Sequence, residues 1–109
     1  MEQEKLQEMQ FLEQNLQNLL LQKQAFQMEL SETESALNEI ESSGEEVYKV
    51  IGQLMIKSDK TKIKEELENK KKILDTRLKT ITNQEETLSN RVEELRDEFM
   101  KKNHENSKK

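Results

Sequence analysis

The chain has 109 residues, of which only 31% are hydrophobic and 38% are charged, whereas an average globular domain is about 45–50% apolar. This composition argues against a thick core within one chain and leaves two alternatives, disorder or long helices that bury a narrow seam. The net charge of −5 disfavours binding to nucleic-acid phosphates, and the absence of cysteine excludes disulfides and thiol chemistry.

The sequence contains no membrane or export signal that we can identify. No apolar run approaches the ~20 residues that a membrane-spanning helix needs. The N-terminal stretch MEQEKLQEMQ lacks both the basic start and the apolar core of a signal peptide. We therefore expect a soluble, cytoplasmic protein with neither nucleic acid nor membrane as a partner.

Residues 1–43 show the apolar spacing of a coiled-coil helix, with alternating steps of three and four. The apolar seam positions are Met9, Leu12, Leu16, Leu19, Phe26, Leu30, Leu37 and Ile40. Lys23 and Thr33 occupy the two remaining seam positions. A disordered polar chain would not space its leucines so regularly, so we predict a first helix over 1–43, ended by Gly44 in the left-handed cap conformation.

Residues 46–57 break this pattern and predict a β-hairpin. Val47, Tyr48, Val50, Ile51 and Ile56 are strand formers. The dipeptide Gly52-Gln53 suits a type II′ turn, which takes glycine first. The resulting register places Ile51 opposite Leu54, Val50 opposite Met55 and Tyr48 opposite Lys57, so that both faces of the hairpin are largely apolar.

A hairpin with two apolar faces is not expected to be stable in an isolated chain. A lone two-stranded hairpin is marginal in water, and its free edges can pair with other strands. We predict that other subunits supply the rest of its sheet, in a barrel that removes the edges. The alternative is a local plug, in which the hairpin folds back on the ends of its own helices.

Residues 59–102 predict a second coiled-coil helix, capped at its start by Ser58 or Asp59. Its apolar seam positions are Leu67, Leu74, Leu78, Ile81, Leu88, Val92, Leu95 and Phe99. Lys71 and Glu85 are polar seam members, and Ile63 lies out of register, which suggests a local stutter. Residues 103–109 carry no seam residue and should fray.

Two helices of matched length with a short connector favour an antiparallel coiled-coil hairpin, with both chain ends at one tip. The predicted fold is mainly α: an antiparallel two-helix coiled coil, joined by a β-hairpin that assembles into an intersubunit β-barrel, over residues 1–109 as one domain. A parallel dimer of one long helix is the alternative. It would have to pass through Gly44 and Gly52, and it would leave the apolar hairpin residues without a role.

This arrangement resembles the beta subunits of the prefoldin family. The specific part of the resemblance is the segment VYKVIGQLMIKSDKTKIKEEL, Val47 to Leu67, and above all VYK, then Gly52, then LMIK followed by a cap and a charged helix. The resemblance extends over nearly the whole chain, although heptads alone are shared by many unrelated proteins. Beta subunits carry one hairpin and alpha subunits two, so the sequence resembles the beta class.

The resemblance implies an ATP-independent holdase chaperone that needs no cofactor. The implied partners are alpha-type prefoldin subunits, in a hexamer of two alpha and four beta subunits, unfolded client polypeptides, and a group II chaperonin that receives the clients. The hairpins would form the central barrel from which the coiled coils project. The implied oligomerisation residues are Val47, Tyr48, Val50, Ile51, Gly52, Leu54, Met55 and Ile56.

The far tip of the coiled coil, built from residues 1–20 and 90–109, is the candidate client-binding region because it holds more apolar residues than a seam uses. Leu19, Leu20 and Leu21, for example, cannot all face one partner helix. The candidate residues are Leu6, Met9, Phe11, Leu12, Leu20, Val92, Leu95, Phe99 and Met100. Seam packing is the favoured main role of Met9, Leu12, Val92 and Leu95, and client contact that of Phe11, Leu20 and Met100.

Catalysis and metal binding find no support in the sequence. His104 is the single histidine and there is no cysteine, so no metal-ligand set is present. No glycine-rich phosphate loop occurs, and we expect no enzyme activity. The rival function is a structural coiled-coil scaffold or adaptor without client binding, which the heptads fit equally well but the two-sided hairpin does not.

Overall fold

The computed structural model describes residues 2–107, with side chains described for residues 3–101. The elements in chain order are α1 (Glu2–Ser42), β1 (Glu46–Ile51), β2 (Leu54–Asp59) and α2 (Lys60–Ser107). The predicted fold class is confirmed in its main features, two long helices with a two-stranded antiparallel hairpin between them. Because the hairpin separates α1 from α2, the alternative of one continuous helix is wrong.

The first helix ends through serine hydroxyls rather than through a left-handed glycine. Ser42 Oγ donates to the carbonyl of Glu39 (3.1 Å) and Ser43 Oγ to that of Ile40 (2.8 Å), so side chains satisfy carbonyls that the last turn leaves open. Among the described residues, positive φ occurs only at Gly52. The prediction of a left-handed Gly44 cap is therefore wrong, because the serines already supply the missing donors.

The hairpin has the predicted register. Tyr48 pairs with Lys57, Val50 with Met55 and Ile51 with Leu54. Gly52 has φ of 61°, and Gln53 does not share the positive φ that a type I′ turn would require at that position. The turn is therefore type II′, as predicted from glycine in first place.

The second helix starts at a side-chain cap and runs further than predicted. The backbone N–H of Thr61 donates to Asp59 Oδ1 at 3.0 Å, which identifies Asp59 as the cap. The helix continues to Ser107 instead of ending at 102, because no proline or glycine interrupts its last residues. Residues 108 and 109 of the predicted frayed tail lie outside the described residues.

The chain divides into two compact units, the first formed by Met1–Gln24 with Lys79–Lys109. In this first unit Ile81, Val92 and Leu95 are buried. The opposing seam positions on α1 are half-buried, at Met9, Leu12, Leu16 and Leu19. Ion pairs join Lys5 to Glu98 and Lys23 to Glu85. A residue later in α1 is therefore paired with a residue earlier in α2. The two helical segments of this unit are therefore antiparallel.

The second unit, Ala25–Leu78, contains the hairpin and the helix segments next to it. Leu74 is buried between these segments, as is the predicted polar seam residue Thr33. Thr33 Oγ1 donates to the carbonyl of Glu29 at 2.8 Å, which satisfies its hydroxyl inside the seam. Ion pairs between Lys71 and Glu34 and between Lys64 and Glu41 cross from helix to helix.

The predicted seam is confirmed at every position but one. Each predicted seam residue is buried or half-buried except Phe99, which is exposed. An unbroken 3-4 spacing would pass through Lys64, and Lys64 and Ile63 are both half-buried, so the stutter stays a prediction. Ile63 lines a groove at the base of the hairpin together with Val47.

Two predicted polar seam positions are paired with each other. Lys23 Nζ lies 2.9 Å from Glu85 Oε1, and both side chains are half-buried. A charge pair in a narrow apolar seam gains attraction from partial burial but loses hydration. The pair is therefore expected to add little to the free energy of unfolding. Its main effect would be to favour this alignment of the two helical segments over shifted alignments.

Replacing Glu85 alone with leucine should destabilise the chain by about 1–2 kcal/mol, because the half-buried ammonium of Lys23 loses its partner. Replacing both residues with leucine should restore wild-type stability or exceed it. Urea unfolding followed by circular dichroism measures both effects. The exposed pair of Glu13 and Arg96 is the matched control, since its removal should cost less than about 1 kcal/mol. A double variant that is less stable than Glu85→Leu would contradict this account.

Candidate functional site

The hairpin presents apolar side chains on both faces. Residues directly opposite in an antiparallel pair share a face, and successive residues alternate between faces. From the register, one face carries Val47, Ile51, Leu54 and Ile56. The other face carries Tyr48, Val50 and Met55. All of these residues except Val47 are exposed in the single chain.

Val47 anchors the hairpin to the helices. It is buried and lines a groove with Ile40 and Ile63. Tyr48 also lines this groove, but Tyr48 and the other apolar side chains of the hairpin remain exposed and are not covered by the helices of the same chain. The alternative of a local plug is therefore wrong.

The turn end of the hairpin carries no charge. The ion pairs of the hairpin, Lys49 with Glu66 and Lys57 with Glu46, are exposed and lie toward its base. The segment from Val50 to Ile56 contains no charged residue. Within the described residues the sheet has two strands, so both of its edges are unpaired. An uncharged, apolar ribbon with two open edges has the chemistry of a pairing surface.

The second candidate surface comprises apolar residues of the first unit, and the structure separates them by burial. Val92 and Leu95 are buried in the seam, and Met9 and Leu12 are half-buried there. Five of the predicted client-binding residues are exposed: Leu6, Phe11, Leu20, Phe99 and Met100. We call this set the apolar patch, although its members on α1 point to different sides of the helix, since Phe11 and Leu20 are nine residues and therefore about half a turn apart. The exposed set contains all three residues for which client contact was the favoured role.

Among residues 3–101, three further large apolar side chains are exposed and lie outside both predicted sets. They are Leu21 in the first unit and Met28 and Ile73 in the second. Their heptad positions, away from the seam, already indicate that they point outward. Nothing in the sequence distinguishes Met28 and Ile73 from ordinary isolated surface residues.

Charged pairs flank the apolar patch. Lys5 donates a hydrogen bond to Glu98 (2.9 Å), which lowers the pKa of the Glu98 carboxyl. Arg91 donates to Glu8 and to Glu94, and the bond to Glu8 is the largest cause that raises the pKa of Arg91. Because these side chains remain open to solvent, their pairs contribute little to stability. They keep the surroundings of the patch hydrated.

Two other kinds of site are absent from the part of the chain that the structure describes. Neither described helix has a stretch long and apolar enough to cross a membrane. The described residues group no three histidine, aspartate or glutamate side chains in a way that could hold a metal ion.

Comparison with known proteins connects these features to one family. The family model for "Prefoldin subunit" matches residues 3–106. Proteins named prefoldin subunit beta from Thermococcus onnurineus (strain NA1) and Thermococcus kodakarensis are each 46% identical over 52 residues. That segment is 46% of this chain but only 45% and 44% of those relatives, so the match spans less than half of their length.

A solved structure extends the likeness to most of the fold. The crystal structure of the prefoldin beta subunit from Thermococcus strain KS-1 matches with a TM-score of 0.82 at 37% sequence identity. The match covers 89% of this chain and 87% of that one. Two long helices, the hairpin between them and a family match from residue 3 to residue 106 lead to one conclusion: the chain belongs to the prefoldin subunit family.

Proposed function

We propose that the chain is a subunit of an ATP-independent holdase chaperone, which captures unfolded polypeptides in the cytoplasm and passes them to a group II chaperonin. The observation that carries this proposal is the apolar patch, in a chain of the prefoldin subunit family. Phe11 and Met100 are 66% and 64% exposed, although a soluble protein normally covers side chains of this size. Flexible, polarisable methionine and aromatic phenylalanine suit a surface that accepts many shapes.

Assembly is the second part of the proposal. The two apolar faces and two open edges of the hairpin fit a β-barrel shared between subunits, in which the faces are covered and the edges are paired. Four copies of this chain would join two alpha-type subunits in a hexamer. Val50 and Met55, directly opposite each other, would be among the covered side chains.

Several weak sites on one assembly suffice for a holdase without ATP. Burial of roughly 200 Å² of apolar surface at one patch is worth about 5 kcal/mol before the costs of association. A single patch would therefore hold a client weakly. Several patches that engage one unfolded chain add avidity through effective concentration, while each contact remains weak enough to release.

The test is suppression of aggregation. The variant Phe11→Gln/Met100→Gln should need at least about tenfold more assembled protein for half-maximal suppression, because two large apolar contacts are lost from every patch. Glutamine keeps good helix propensity. Light scattering of a chemically denatured client, diluted into buffer with the assembled complex, measures the effect.

The matched control is Met28→Gln/Ile73→Gln, which removes two exposed apolar side chains from the second unit. It should suppress aggregation like the wild type. Equal loss in both variants would show that general surface hydrophobicity, rather than the patch, holds the client. No suppression by the assembled wild-type complex would favour a structural scaffold without client binding.

A further inference from the structure

An open groove of about 640 Å³ runs between the helical segments of the first unit. Its floor contains Leu19 and Leu88, which are half-buried seam residues. Its other lining residues carry amides or hydroxyls: Asn15, Asn18, Gln22, Thr80, Asn83, Gln84 and Thr87. We call this feature the amide groove. It has an apolar floor and uncharged polar walls.

The lining of the amide groove is uncharged. Residues 14–22 of α1 likewise contain no charged side chain, although 38% of the whole chain is charged. The nearest charges in the sequence include Lys23 and Glu85, which neutralise each other in an ion pair. A groove of this kind offers no counter-charge to an ion, a phosphate or a charged side chain. The ligand that fits its walls is therefore neutral and hydrogen-bonding.

The amide side chains of the groove are available to a ligand. Among the described residues, none of the hydrogen bonds or ion pairs that the protein forms uses the side chains of Asn18, Gln22 or Gln84, and all three residues are exposed. A primary amide donates through its NH₂ and accepts through its oxygen. The peptide group of a polypeptide backbone has the same two functions, one N–H and one C=O per residue.

We propose that the amide groove binds the backbone of an extended, unfolded polypeptide segment, with apolar client side chains on the Leu19–Leu88 floor and client peptide groups hydrogen-bonded to the walls. This inference rests on the proposed function and assigns to it a second subsite, apart from the apolar patch. Backbone recognition is independent of client sequence. A sugar, the other common neutral ligand, usually stacks on aromatic rings, and none lines this groove.

The length of the groove sets the length of the bound segment. From Asn15 to Gln22, α1 rises about 10 Å at 1.5 Å per residue. An extended strand advances about 3.3 Å per residue, so the groove holds about three client residues. Because alternate side chains of a strand point in opposite directions, one or two would reach the floor while the peptide groups between them face the walls.

The test separates backbone contacts from side-chain contacts. The probe is a fluorescent, uncharged 12-residue peptide containing leucine and phenylalanine, compared with the same peptide carrying N-methyl groups on alternate backbone nitrogens. Fluorescence anisotropy measures binding to the assembled full-length protein. N-methylation should weaken binding to the wild type about tenfold, the effect of losing two net hydrogen bonds.

The variant Asn18→Ala/Gln22→Ala/Gln84→Ala should bind the unmodified peptide about tenfold more weakly than the wild type. It should also lose most of the discrimination against the N-methylated peptide, because the two changes remove the same contacts. The matched control, Gln10→Ala/Gln17→Ala/Gln24→Ala, removes three exposed amides of α1 outside the groove. It should behave like the wild type.

The outcomes distinguish the groove from the wider proposal. If the peptide binds, Phe11→Gln/Met100→Gln weakens it, and the groove variant binds both peptides as the wild type does, the groove inference is overturned and the chaperone proposal stands. An N-methyl penalty that persists undiminished in the groove variant also overturns the inference. If neither peptide binds the assembled protein, the groove inference is overturned, whereas the chaperone proposal is decided by the aggregation assay, in which one long client can engage several sites.

Discussion

Replacement of both Val50 and Ile51 with glutamate is expected to dissolve the oligomer while the helices stay folded. Adjacent strand residues face opposite sides of the ribbon, and both are exposed in the single chain. Burial of each would contribute about 1.5–3 kcal/mol to assembly, and a glutamate there would add the cost of desolvating a charge. Association should weaken at least about a thousandfold. Sedimentation velocity reports the mass and circular dichroism the helicity.

The control is Gln53→Glu, which adds a negative charge at the turn and leaves both faces of the ribbon unchanged. It should keep the wild-type mass. The single variants Val50→Glu and Ile51→Glu test the two faces separately, and each should weaken assembly. An unchanged native mass of the double variant would contradict assembly through the hairpin and leave the helices as the contact between subunits.

Truncation of Leu74 to alanine should cost about 2–4 kcal/mol of unfolding free energy, the range for a buried leucine that leaves a cavity. The neighbouring substitution Ile73→Ala is the control and should change stability by less than about 0.5 kcal/mol. The two residues are adjacent on α2 but are 2% and 52% exposed. Urea unfolding of the full chain measures both free energies. Equal costs would mean that the outward face of α2 is covered as well as the seam.

The seam could be predicted because its signal is repeated. Each of the positions Leu67, Leu74 and Ile81 adds to the same 3-4 spacing, so a single polar residue such as Thr33 does not obscure it. The hairpin register could be predicted equally well. Gly52, at the first central position of the turn, selects one turn type, and the turn then sets which residues of the two strands pair. The sequence could not predict that Val47 alone among the apolar hairpin residues is buried, because this depends on the angle at which the strand leaves the helix.

Features that depend on competition between groups could not be predicted. A glycine such as Gly44 commonly forms a left-handed cap, but here the hydroxyls of Ser42 and Ser43 donate to the last carbonyls of the helix instead. The pairing of Lys23 with Glu85 requires the alignment of two distant segments, which the heptads do not define. The amide groove is a space between side chains, and such a space does not produce a repeating residue pattern from which it could be predicted.

The turn glycine also makes the hairpin sensitive to chirality. A Cβ placed on Gly52 would meet nothing within 4 Å, so the obstacle to a side chain is its handedness and not its size. An L-residue with φ of 61° is disfavoured by about 1–2 kcal/mol, whereas a D-residue prefers that region. In a chemically synthesised chain, Gly52→D-alanine would restrict the unfolded hairpin and leave every apolar side chain of the ribbon unchanged. Mirror-image substitution therefore offers a way to stiffen this ribbon before it meets another subunit.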